Sequence, residues 1–175
     1  MVLLFLFLSS VMPLDSVIVD FNSESSLNNW FTVDDDVMGG RSSSTFTINE
    51  KGNAVFSGTV SLENNGGFSS LRHVMEKRNI GSFRTISIRV KGDGNRYQFR
   101  VKSSKTDRFS YVYYFKTSGT LQWIDIPLAE MYPTWRGRRL EYPNYPAQTL
   151  EEIGILIGNE RNEAFNLEID QIRLK

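Results

Sequence analysis

The sequence predicts a single all-β domain, a β-sandwich of the jelly-roll kind. Three observations carry this. Apolar and polar residues alternate over short runs, clusters of Gly, Asn, Ser and Asp separate those runs, and no long segment has apolar residues at helical spacing. The chain of 175 residues suits one domain, and at that size about 70% of the unfolded chain's surface can be buried. It contains no cysteine, which excludes disulfides, thiolate metal sites and a thiol nucleophile.

The elements follow in chain order. Residues 17–21 form a short strand. Residues 44–49 alternate, with Phe46 and Ile48 on one face. Residues 54–62 hold Val55, Phe56, Val60 and Leu62 around Gly58, where a bulge or bend is expected. Residues 85–91 give the clearest pattern: Ile86, Ile88 and Val90 face one way, Ser87, Arg89 and Lys91 the other. Residues 96–102 repeat it, with Tyr97, Phe99 and Val101 opposite Gln98, Arg100 and Lys102. The Gly92-Asp93-Gly94-Asn95 connector is a turn signal that joins these two strands into a hairpin. An aromatic strand over 109–116 and another over 121–126 come next, then 153–157 paired with 165–169, and 171–174 last. Helical signals are limited to single turns at 27–30 and at 149–153, the latter with Thr149 as cap and Glu151 and Glu152 in its first turn. Residues 128–148 contain Pro133, Pro143 and Pro146 and lack alternation, which reads as a long loop of the kind that carries function.

Twenty basic residues balance twenty acidic ones, which argues against nucleic acid or an anionic membrane as the main partner. The apolar run over residues 2–8 is too short for a bilayer span, which takes about 20 residues. It reads as an export signal without a basic flank, or as a buried first strand. Residues 1–15 are therefore set apart as an N-terminal apolar segment, and residues 16–175 form the domain. The export reading places the protein in the periplasm or outside the cell; the other leaves it cytoplasmic or membrane-associated.

Four places carry polar chemistry. Asp34-Asp35-Asp36-Val37-Met38-Gly39-Gly40-Arg41-Ser42 offers carboxylates of the kind calcium takes, but without EF-hand spacing. Its ordinary reading is a tight turn. Asn64-Asn65-Gly66-Gly67-Phe68-Ser69-Ser70-Leu71-Arg72 carries a hairpin signal and no phosphate-loop lysine, and Arg72 is placed to fork onto Asp34 or Asp36. His73 is the single histidine; a multi-histidine metal site is excluded, and no nucleophile elbow accompanies it. In Tyr132-Pro133-Thr134-Trp135-Arg136-Gly137-Arg138-Arg139, the Trp, Tyr and Arg are the residue types enriched at binding hot spots. No catalytic residue, metal site or cofactor is expected from these segments.

Together these motifs resemble the complex I intermediate-associated protein 30 family, over residues 21–172. Trp30 and the 34–42 segment come first, then Phe56-Ser57-Gly58 leading into 60–72. Val90-Lys91-Gly92-Asp93-Gly94 with Tyr97 follow, then Pro133-Thr134-Trp135-Arg136-Gly137-Arg138, and finally Ile153-Gly154 with Phe165, Leu167, Ile169 and Ile172. The resemblance implies a galactose-binding-like jelly roll. It also implies a role like that of the mitochondrial members, which are assembly factors for respiratory complex I (NADH:ubiquinone oxidoreductase) rather than enzymes. It marks Asp34, Asp36, Met38, Gly39, Gly40, Asn65, Gly66, Gly67 and Arg72 as folding residues. The binding residues expected are Tyr132, Trp135, Arg136, Arg138, Asp93 and Tyr97. The leading expectation is a protein-binding assembly factor or chaperone. A carbohydrate-binding module of an exported protein is the alternative, and a hydrolase using paired carboxylates of the 34–36 segment is a second one.

Overall fold

The computed structural model describes residues 16–35 and 40–175. The apolar run at the N-terminus, with Asp36, Met38 and Gly39, lies outside the described residues. The strands are β1 (Ser16–Asp20), β2 (Trp30–Asp34), β3 (Ser43–Ile48), β4 (Ala54–Val60), β5 (Ser69–Asn79), β6 (Thr85–Lys91), β7 (Arg96–Lys102), β8 (Ser110–Lys116), β9 (Gln122–Pro127), β10 (Tyr132–Trp135), β11 (Arg138–Arg139), β12 (Thr149–Ile157) and β13 (Glu163–Leu174). Among the described residues the only helical pieces are 3-10 turns at Glu63–Asn65 and Leu128–Glu130.

Two antiparallel sheets form a sandwich. One has the order β3-β4-β13-β6-β9, with β1 paired to the end of β13. The other has seven strands in the order β11-β10-β8-β7-β12-β5-β2. Their inner faces meet in a core built from the apolar half of each alternation. Ile86, Ile88 and Val90 of β6 and Tyr97, Phe99 and Val101 of β7 are all buried there.

That shared burial explains why β6 and β7 do not form the expected hairpin. Both strands have one apolar face, and those faces oppose each other across the core, so β6 pairs with β9 and β13 while β7 pairs with β8 and β12. The Gly92-Asp93-Gly94-Asn95 segment crosses between the sheets. It passes so close to Thr117 that a Cβ on Gly92 would stand 2.3 Å from that side chain. The Asn-Gly segment at 64–67 likewise crosses from β4 to β5 rather than closing a hairpin.

Asp93 ties the crossing down. Its Oδ2 accepts the Tyr97 hydroxyl at 3.0 Å and the Asn166 backbone N–H of β13 at 2.8 Å, which links the two sheets. Burial, and then the Asp93 charge, push the Tyr97 phenol well above its ordinary pKa, so it stays a neutral donor. Tyr97→Phe keeps the ring stacked on Phe115 and removes the bond to a carboxylate. Urea unfolding should show a loss of about 1.5–3 kcal/mol, the usual worth of a hydrogen bond to a charged group. A loss near zero would mean that Asp93 is held by Asn166 alone.

Other expectations change in detail. Residues 165–169 and 171–174 are one strand, broken in register by an extra residue at Asp170. This bulge flips the parity, so Phe165, Leu167 and Ile169 and then Ile172 and Leu174 all reach the core. Residues 153–157 belong to β12, in the other sheet, and do not pair with 165–169. The turns expected at 27–30 and 149–153 are not helical: Trp30 starts β2 and Thr149 starts β12. At Gly58 the ladder runs without a register shift on both sides. The long loop over 128–148 contains a hairpin, β10–β11.

Candidate functional site

The seven-stranded sheet turns its polar half away from the core, and that face holds a cleft of about 720 Å³. Its floor is the outward set of three adjacent strands: Ser70 and Arg72 of β5, Glu152, Gly154 and Leu156 of β12, and Gln98, Arg100 and Lys102 of β7. Gly154 is in register with Arg72 on one side and Arg100 on the other. Lacking a side chain, it leaves a hollow that both arginines flank; a Cβ there would lie 3.7 Å from Arg72 Cγ and 3.9 Å from Arg100 Cβ.

One wall comes from the β10–β11 hairpin. Arg136 and Gly137 both have positive φ, 49° and 75°, which makes a two-residue primed turn whose twist matches its strands. The turn presents Trp135 and Arg136 to the cleft. Trp135 is 41% exposed, and the Arg136 guanidinium sits 5.0 Å from its ring centroid. The opposite wall comes from Leu62 and Gly66-Gly67-Phe68.

The floor is charged. Arg72 Nε and Nη2 both donate to Glu152 Oε1, at 2.8 and 2.6 Å, and Lys102 Nζ lies 3.5 Å from Glu152 Oε2. Glu152 is buried. Arg100 has no carboxylate of its own among the described residues. Its Nη1 donates to Gln98 Oε1 at 2.8 Å, and Gln98 in turn donates to the Tyr114 hydroxyl at 3.0 Å. Burial first, and then the neighbouring Arg72, lower the Arg100 pKa from its ordinary value. Arg108 and Arg136 also line the cleft.

The expected site residues divide. Trp135, Arg136, Gly66, Gly67 and Arg72 line the cleft. Tyr132 stands beside it with the Arg139 guanidinium 4.5 Å from its ring, and Arg138 is exposed on β11; neither lines the cleft. Asp93 and Tyr97 are tied to each other at the crossing between the sheets. Among the described residues Arg72 forks onto Glu152 and not onto Asp34; Asp36 lies outside them. Strand pairing places it beside β12, so it takes Glu152, while Asp34 accepts from Ser44, 2.9 Å from its N and 2.6 Å from its Oγ. Both Asp34 oxygens are thus held by Ser44. Gly40 borders Gly66, whose Cβ would come 3.6 Å from the Gly40 Cα, and Asn65 closes the 3-10 turn. His73 is a packing residue, stacked on Trp30 at 4.4 Å with Nδ1 3.2 Å from the Asn29 carbonyl oxygen. The residues that sequence reasoning missed are Gln98, Arg100, Lys102 and Glu152. For the first three the signal was the polar half of the alternation in 96–102, which reads as an ordinary solvated face, while Glu152 reads as part of a helix start.

Comparison with known proteins adds four findings. The sequence model of the complex I intermediate-associated protein 30 family matches residues 19–169. An uncharacterized protein of Schizosaccharomyces pombe is 30% identical over 164 residues, covering 81% of this chain and 75% of that protein. The family 11 carbohydrate-binding module of the cellulosomal cellulase Lic26A-Cel5E of Clostridium thermocellum superposes with a TM-score of 0.64 at 18% identity, over 91% of this chain and 93% of the module. The same organism's family 11 module in complex with a β-1,3-1,4-mixed-linked tetrasaccharide gives 0.62 at 19% identity, over 91% and 94%. The likeness to these modules is one of fold, a galactose-binding-like jelly roll.

Proposed function

As this chain belongs to the complex I intermediate-associated protein 30 family, we propose that it is a non-catalytic binding module that holds a protein partner in the cleft of its seven-stranded sheet. The partner belongs to an assembly intermediate of respiratory complex I or of another membrane complex. The observation that carries this reading is the pairing of an exposed Trp135, capped by Arg136, with a floor of fixed polar side chains. An aromatic anchor beside oriented arginines is the composition of an interface hot spot. Two of the carboxylates at hand serve structure: Glu152 is engaged by Arg72 and Lys102, and Asp34 by Ser44.

Trp135→Ala tests this. Truncating a hot-spot aromatic costs about 2 kcal/mol or more of binding, a loss of about thirtyfold in affinity. Stability should change by no more than about 0.5 kcal/mol, as for other half-exposed positions. The readout is co-purification of NADH:ubiquinone oxidoreductase subunits with the tagged protein, beside a melting curve. Unchanged capture would remove the cleft from the interaction.

A second reading, a carbohydrate module, is favoured by one observation: a neighbour of the same fold was solved with a mixed-linked tetrasaccharide. Calorimetric titration with that sugar separates the two. Saturable heat that disappears in Trp135→Ala would put the sugar first.

A further inference from the structure

We infer that the cleft recognises an acidic stretch of its partner polypeptide, with the Arg100 guanidinium at the floor as the receptor for a carboxylate. This rests on the reading of the cleft as the protein-binding surface and names what that surface takes. The cleft is lined by Arg72, Arg100, Lys102, Arg108 and Arg136 against Asp35, Glu152 and Glu160. Glu152 is already shared by Arg72 and Lys102. Among the described residues Arg100 is left with one side-chain hydrogen bond, to the neutral Gln98 amide. A half-buried guanidinium beside a second one is unfavourable in the free protein, and arginine does not escape by losing its proton. Its lowered pKa expresses the same strain. A carboxylate entering the hollow over Gly154 gives Arg100 the charge-assisted bonds it lacks. Gln98, itself held by Tyr114, fixes the guanidinium in place beforehand.

The walls decide what carries the carboxylate. Leu62, Phe68, Leu156 and Trp135 supply apolar contact between the cations. That mixture suits a polypeptide segment in which acidic and apolar side chains follow one another. Arg108 and Arg136 extend the positive field from the floor toward the rim, so more than one acidic residue along the bound segment is accommodated.

The test titrates the purified chain at low salt with a fluorescent peptide of alternating Glu and Gly, its Gln-Gly counterpart, and an oligogalacturonate of equal charge. The Glu-Gly peptide should bind, and the other two should bind at least about tenfold more weakly. Arg100→Gln should weaken the Glu-Gly peptide by about tenfold or more, as expected when one side of a desolvated charge contact is removed. The same variant should melt at or above the wild-type temperature, because an unfavourable charge has gone. Arg89→Gln, on the other sheet where Arg89 pairs with Asp170, is the control and should bind as wild type does. Absent binding, equal binding by Arg100→Gln, equal binding of the Gln-Gly peptide, or preference for the oligogalacturonate each overturns the inference. Subunit capture separates this from the broader reading. If Trp135→Ala abolishes capture and Arg100→Gln leaves it intact, the acidic-segment inference fails and the binding cleft stands. If neither affects capture, both fall.

Discussion

Glu152→Ala should lower the stability of the free protein by about 3–5 kcal/mol, the range for removing one partner of a buried ion pair. Glu152 has a side chain only 7% exposed and neutralises two cations at once, Arg72 at 2.6 Å and Lys102 at 3.5 Å. Without it, Arg72, Lys102 and Arg100 face one another across a glycine with no anion on the floor. The large cost comes from the charges left behind, so it should be recoverable. The double variant Glu152→Met with Arg72→Met should regain a substantial part of the loss, since well-packed apolar pairs often replace buried ion pairs without penalty. Urea unfolding of the wild type, the two single variants and the double variant measures this coupling. A loss below about 1 kcal/mol for Glu152→Ala would place the pair with ordinary surface salt bridges.

Phe56→Ala should cost about 3–5 kcal/mol, as truncations of buried Phe generally do. Phe56 is fully buried, packs 4.8 Å from the Phe165 ring, and is in register with Phe46 on β3 and Leu167 on β13. Its removal leaves a void between the strands that bind the edge of the sheet to its centre. Tyr142→Ala, at the most exposed large aromatic position among the described residues, should change stability by less than about 0.5 kcal/mol. A small effect at Phe56 would mean that the sheet closes over the void.

The fold was legible wherever one face of a strand is apolar and the other polar. β6 and β7 follow their alternation at every position and β9 nearly so, while β8, with Tyr111-Val112-Tyr113-Tyr114-Phe115, shows itself by its strand-favouring residues instead. What the alternation does not encode is the partner: β6 and β7 are adjacent in sequence yet lie in different sheets, because each buries its apolar face against the other. Of the strands that build the cleft floor, β7 was read, β12 only from residue 153 onward, and β5 not at all. In β5, the series Ser69-Ser70-Leu71-Arg72-His73-Val74 mixes polar residues into both faces, since Arg72 is held by Glu152 and His73 stacks under Trp30. In β12, the adjacent acids Glu151 and Glu152 imitate a helix start, although Glu151 accepts from the Lys105 backbone N–H and Glu152 serves the cleft floor. Departures from local consistency of this kind are expected at functional sites. The β10–β11 hairpin was hidden for another reason: its turn is Arg136-Gly137, in place of the Asn-Gly or Asp-Gly pairs that usually signal a primed turn.

The position of β13 has a consequence for how the protein is made. It is the strand on which β1, β4 and β6 all pair, and it comes after every one of them in the chain. During synthesis, the six-stranded sheet has no centre until β13 emerges. Between the end of β4 at Val60 and the start of β13 at Glu163, roughly 5–20 s pass at ordinary elongation rates. Throughout that interval β4 has only β3 as a partner and offers its other edge, with Phe56 and Val60, to whatever is nearby. The six-stranded sheet is therefore completed only when β13 emerges, and the nascent chain carries an unpaired β4 edge until then.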